Sequence, residues 1–181
     1  MTRKDWLYTL ILFIVAVASR LIPHYPNFTA IGSIAVVGGL VIKNRFPALI
    51  ATLTSLYMSD LLINNILLHD YYESFTWFTP GGGLIYGCFA FSVFIPRMLP
   101  FKNNILKWVT ASLGSTLVFY LVTNFGVWYQ STLYSQDLSG LLACYVAAIP
   151  FAINQLLGTL FYGALLLASF SVVNRHVVEV A

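Results

Sequence analysis

Charged residues are scarce in this chain. Of its 181 residues only 8% are Asp, Glu, Lys or Arg, whereas 59% are hydrophobic. About a quarter of the residues in a soluble domain are charged, and they form the polar surface that faces water. The composition therefore excludes an ordinary soluble domain. The net charge of +3 is also too small to indicate a nucleic-acid partner.

Cysteines and catalytic motifs are scarce as well. The two cysteines, Cys88 and Cys144, lie in apolar runs and far apart, so the sequence predicts neither a disulfide framework nor a zinc site. The motifs G-x-S-x-G and H-E-x-x-H and the Walker motif do not occur. We therefore expect a protein that is not an enzyme and that carries no cofactor and no metal of its own.

The chain contains many long apolar runs. About 20 apolar residues cross a bilayer core as a helix, and only helices or closed barrels satisfy every backbone polar group there. The runs are continuous rather than alternating, which excludes a barrel. The sequence predicts an all-α polytopic membrane protein, with a single integral membrane domain over residues 1–181. Its six expected transmembrane helices are Trp6–Ile22, Ala30–Ile42, Phe46–Leu68, Gly83–Leu99, Ile105–Tyr129 and a final stretch, Leu141–Val173.

The final stretch contains Pro150, which interrupts helical hydrogen bonding. We expect a short outer helix or a kink there, before the span proper. With six spans and a cytoplasmic N-terminus, every one of the nine basic residues except Arg20 falls on the cytoplasmic side. Basic residues favour that side. The sequence therefore predicts that both termini are cytoplasmic.

A set of polar residues falls in the outer half of the predicted membrane region or around the middle of the last stretch. Polar groups in apolar, aromatic-rich surroundings are typical of small-molecule pockets. We therefore expect them to form a substrate-binding site that opens outward. The candidates are Arg20, His24, Asn27, Asp60, Asn64, Asn124 and Gln155, with Cys88 as a weaker member.

Each candidate also has a structural interpretation. An Asp within a span costs about 2.5–3.5 kcal/mol, so Asp60 is expected to pair with Arg20. Asn and Gln in spans more often join helices than bind ligands, and a buried Cys is usually a small hydrophobe. Three classes of function stay open: a transport subunit, a scaffold or assembly protein, and an intramembrane enzyme that uses Asp60 and His24.

Four segments together resemble a family of uncharacterised bacterial membrane proteins: Arg20–Thr29, Ser59–Asp60, Thr123–Trp128 and Gly140–Pro150. That family is similar to the substrate-binding S components of energy-coupling-factor vitamin transporters, and most similar to the solitary cobalamin transporters. The resemblance implies a protein of the bacterial cytoplasmic (inner) membrane that mediates uptake of a vitamin-like solute, with cobalamin as the best single guess. It also implies an energising transporter module as a candidate partner, and His24 and Cys88 as candidate ligands to the cobalt of a corrinoid.

Overall fold

The computed structural model describes residues 3–72, 74–130 and 132–179, the side chains of 3–5 and 172–179 excepted, and its regular secondary structure is helical. That part of the chain contains no strand, and the all-α fold class is confirmed. Helix α3 continues into a π-helical turn, Ile63–Leu67. The seven helices found there are α1 (Arg3–Leu21), α2 (Ile31–Val41), α3 (Arg45–Leu62), α4 (Gly82–Ser92), α5 (Ile95–Met98), α6 (Asn104–Gln130) and α7 (Leu138–Glu179).

Three helical segments are long and apolar enough to cross a membrane: Arg45–Leu67, Asn104–Gln130 and Leu138–Ser171. In each of the last two, only 22% of the most apolar window is buried within the protein. The exposed side chains are mostly aliphatic or aromatic, such as Leu117 and Leu157. A surface of this kind suits lipid rather than water. The three remaining apolar helices are shorter, and the count of six spans stays a prediction.

Helix α2 is short and lies in the centre of the bundle. It has 11 residues, and every one from Ile31 to Gly39 is buried. Helices α1, α3, α4, α5, α6 and α7 all pack against it. Small residues allow this close approach. At Gly39 a Cβ atom would lie 2.0 Å from the carbonyl oxygen of Val93, so that position has no room for a side chain.

The predicted fourth span is divided into α4 and α5. Pro96 lies in the first turn of α5, where its missing N–H costs nothing. In a continuous helix its ring would clash with the carbonyl of Ser92, the last residue of α4. The division lets Arg97 reach the end of α2. Its Nε donates to the carbonyl of Gly39 at 3.0 Å and its Nη1 donates to that of Lys43 at 2.9 Å. Arg97 thus satisfies carbonyls that a helix C-terminus leaves unpaired.

Helix α7 is continuous over 42 residues, and Pro150 lies inside it. The expected separate outer helix is therefore absent from the described residues. Proline is tolerated in a span when neighbouring helices support the backbone. Here the hydroxyls of Tyr120 and Tyr145 each donate across the α6–α7 contact, to the carbonyls of Tyr145 and Leu121 at 2.8 Å.

Asp137 caps the start of α7. Its Oδ1 accepts hydrogen bonds from the backbone N–H of Gly140 at 2.8 Å and from the hydroxyls of Ser139 and Ser135. These bonds, the Gly140 bond above all, lower the pKa of Asp137 below its ordinary value.

A carboxyl group with a lowered folded-state pKa stabilises the fold fully above its unfolded pKa, and that stabilisation is lost as the pH falls through the folded value. We therefore expect hydrogen-exchange protection of the Gly140 amide to fall on acidification. The Asp137→Ser variant keeps a capping oxygen but does not titrate, so its protection should not vary with pH in this range. Identical pH profiles for the two proteins would contradict this role of Asp137.

Candidate functional site

An ion pair joins α1 to α3. Arg20 Nη2 lies 2.6 Å from Asp60 Oδ1, and the two side chains are 19% and 9% exposed. The hydroxyl of Tyr86, on α4, donates to Asp60 Oδ2 at 2.8 Å. Both carboxylate oxygens are thus occupied, and the expected pairing of Asp60 with Arg20 is present.

A cavity of about 190 Å³ lies beside Arg20. For comparison, an engineered apolar cavity of about 150 Å³ binds benzene. The volume therefore fits one six-membered ring with a small substituent. The polar lining side chains are Arg20, His24, Asn27, Thr29 and Gln155, and the larger apolar ones are Ile31, Leu56, Ile63, Ile85, Phe89 and Phe119.

His24 lies in the loop between α1 and α2, and its ring has a defined orientation. Its Nδ1 is 2.6 Å from the carbonyl oxygen of Ile22. A carbonyl oxygen only accepts hydrogen bonds, so Nδ1 carries the proton. In the neutral ring Nε2 is then an acceptor, available to a donor group of a solute.

The same loop is held against the bundle at several points. Ser19 Oγ accepts from the backbone N–H of Ala30 at 3.0 Å, and the Asn154 amide on α7 donates to the carbonyl of Pro26 at 3.1 Å. Asn27 has a φ of 65°, a left-handed conformation that asparagine tolerates better than most residues. The local turn and these anchors place His24 and Asn27 at the cavity.

Gln155 on α7 supplies a buried polar group to the lining. The residue is only 5% exposed, and its Nε2 has no hydrogen-bond partner among the described residues. A buried donor without a partner costs about 1–3 kcal/mol. A solute that accepts a hydrogen bond from Gln155 would recover that free energy.

Three predicted site residues lie away from the cavity lining. Asn64 belongs to the π-helical turn and donates to Thr79 Oγ1 at 3.0 Å. Asn124 donates to the carbonyl of Tyr120 in its own helix at 2.8 Å. Cys88 is buried in α4 and is not part of the described lining. The structure therefore brings together Arg20, His24, Asn27 and Gln155, with Asp60 behind Arg20, and assigns Asn64 and Asn124 to structural contacts.

The π-helical turn lies next to the cavity and fixes a second loop. Asn65 donates to the carbonyl of Thr76 at 2.9 Å, and its own Oδ1 accepts from the backbone N–H of Thr76 at 2.7 Å. Isolated π-helical turns occur frequently at functional sites. Here the turn begins at Ile63, which lines the cavity.

Some residues of the site were not predicted from the sequence. The ring centroids of Phe89 on α4 and Phe119 on α6 lie 5.0 Å apart and form part of an apolar wall. Tyr86 holds Asp60 from a third helix. No spacing rule relates side chains on different helices, so the sequence alone offers no signal for these contacts.

The fold and the cavity define a helical membrane protein with a small, partly polar site between its helices. The chain belongs to a family of unknown function, DUF6580, whose model matches residues 1–180. Comparison with curated proteins and with solved structures gives no match. The family gives no activity, so a function has to be argued from the site.

Proposed function

We propose that this protein binds a small, vitamin-like solute in the cavity from the outer side of the bacterial cytoplasmic membrane and mediates its uptake. The observation that carries the proposal is the convergence of Arg20, His24, Asn27 and Gln155 on one cavity with an apolar opposite wall. These residues come from α1, the loop that follows it, and α7. A few convergent polar groups in an apolar cavity are characteristic of small-molecule sites.

The size of the cavity bears on the identity of the solute. A corrin macrocycle joins four five-membered rings around a metal and is larger than a cavity that fits one ring. Cobalamin is therefore the larger alternative, and it requires the bundle to open further. In that alternative His24 supplies an imidazole ligand to cobalt, and Cys88 has to move into the site.

A spectral titration tests the cobalamin alternative. If the solute has the size of the observed cavity, the visible spectrum of cobalamin should stay unchanged on addition of the purified protein. A spectral shift that His24→Ala and Cys88→Ser each abolish would instead establish a corrinoid carrier. Lys102→Ala, at the opposite end of the bundle, serves as the control variant.

Uptake from outside requires the cavity to face outward, as the six-span arrangement predicts. Single cysteines at Asn103 and Asp137, in a protein with Cys88 and Cys144 replaced by alanine, report the two ends of the bundle. We expect a membrane-impermeant thiol reagent to label position 137 only from outside and position 103 only from the cytoplasm. Labelling of both from one side, or the reverse pattern, would contradict the proposed orientation.

Binding is tested by mass spectrometry of small molecules that copurify with the protein. His24 and His69 form a matched pair, because both are exposed and each has Nδ1 near a backbone carbonyl oxygen two or three residues earlier in the chain. We expect a small molecule to copurify with the wild type and with His69→Ala but not with His24→Ala. Equal amounts from both variants, or none from the wild type, would favour the scaffold alternative.

A further inference from the structure

The charge balance of the cavity favours an uncharged solute. Among the described lining residues Arg20 carries the only formal charge at neutral pH, and Asp60 neutralises it at 2.6 Å. Asp60 in turn has no free oxygen, since Tyr86 occupies the other one. A charged solute that enters the cavity would lose part of its hydration and gain no free counter-charge, which is unfavourable.

The hydrogen-bonding groups of the lining favour a solute with one acceptor and one donor. Gln155 Nε2 is a buried donor without a partner among the described residues. His24 Nε2 is an acceptor, because Nδ1 donates to the carbonyl of Ile22. A carbonyl oxygen complements the first and an N–H group complements the second. An amide supplies both groups.

The remaining wall favours a flat ring. Phe89 and Phe119 present a pair of aromatic rings, and aliphatic side chains such as Leu56 and Ile85 complete the apolar side. Given the volume of about 190 Å³, we infer that the solute is an uncharged single-ring compound with a carboxamide or lactam group. The inference rests on the proposed binding function and specifies its substrate class.

Three matched probes test the charge requirement on the purified wild-type protein: benzamide, benzoate and benzylamine. They share one ring and differ in charge. We expect benzamide to bind at least about tenfold more tightly than either ion, a difference that one unsatisfied polar contact can produce. Equal or tighter binding of benzoate or benzylamine would overturn the inference, as would failure of all three to bind.

Gln155→Leu tests the buried donor. Replacing an unpartnered buried amide by an apolar side chain of similar size should not lower stability. We therefore expect an unchanged or higher unfolding temperature together with about tenfold weaker benzamide binding. Gln130→Leu makes the same chemical change outside this cavity and should leave binding unchanged. Unchanged binding in Gln155→Leu would overturn the assigned role of Gln155.

A pair of isosteric probes tests the acceptor at His24 without relying on the Gln155 variant. N-methylbenzamide has an N–H group where methyl benzoate has an ester oxygen. We expect the wild type to prefer the amide about tenfold, and His24→Ala to lose that preference. An equal preference in both proteins would remove His24 from the contact.

Uptake into proteoliposomes separates this inference from the proposed function. If benzamide binds as expected but is not carried inward, the uptake proposal fails and the substrate class stands. If a copurified solute is transported but is charged or lacks an amide group, the substrate class fails and uptake stands.

Discussion

Replacement of Gly39 by alanine is expected to destabilise the protein by about 3 kcal/mol or more. A Cβ atom there would lie 2.0 Å from the carbonyl oxygen of Val93 and 2.9 Å from its carbonyl carbon. Both atoms belong to the backbone, so no side-chain rotation relieves the clash, and α2 must move away from the segment between α4 and α5. Overpacking of a core typically costs about 1–3 kcal/mol, and a backbone clash lies at the upper end.

The displacement has a second cost, because the carbonyl of Gly39 accepts a hydrogen bond from Arg97. Moving α2 would weaken that bond and expose carbonyls at the end of the helix. The two effects act at the same contact and should reinforce each other.

Gly87→Ala is the matched control. Gly87 also lies in a helix, but an added Cβ there meets no atom within 4 Å. Alanine is the better helix former, so this variant should be neutral or more stable by up to about 1 kcal/mol. Thermal unfolding of both variants in one detergent decides the matter, and equal unfolding temperatures would contradict the close contact at Gly39.

The fold class was predictable because it depends on composition and on the length of apolar runs, which the sequence states directly. The break between α4 and α5 also has a local signal in Pro96. The continuity of α7 through Pro150 has no such signal, because a proline inside a helix removes a backbone hydrogen bond and favours a break. Tyrosine hydroxyls that bond across a helix contact cannot be inferred from the residues of one helix.

The site was predictable in part, for a geometric reason. Counting residues along a predicted span gives the depth of a side chain but not the direction in which it points. The estimated depth placed Gln155 in one group with Arg20, and both residues line the cavity. The same estimate included Asn124, which instead donates to a carbonyl of its own helix. The pairing of Asp60 was predictable from energetics, because a carboxylate inside a span needs a cationic partner.

Removal of the Arg20–Asp60 ion pair is the second change for which we expect a large effect. Asp60→Asn removes the counter-charge of Arg20, whose side chain is mostly buried. Breaking a buried ion pair by removing one partner costs about 3–5 kcal/mol, because the other charge is left uncompensated. We expect a loss of that order in the free energy of unfolding. Asp70→Asn changes an exposed carboxylate paired with His69 and should have little effect.

The double variant Arg20→Gln with Asp60→Asn separates stability from binding. With both charges removed, no uncompensated charge remains, and most of the lost stability should return. Arg20 lines the cavity whereas Asp60 lies behind it. If the pair serves the solute, the double variant should fold and still bind benzamide about tenfold more weakly. Recovery of both folding and binding would show that the pair only joins α1 to α3, and the solute contacts would then belong to His24 and Gln155.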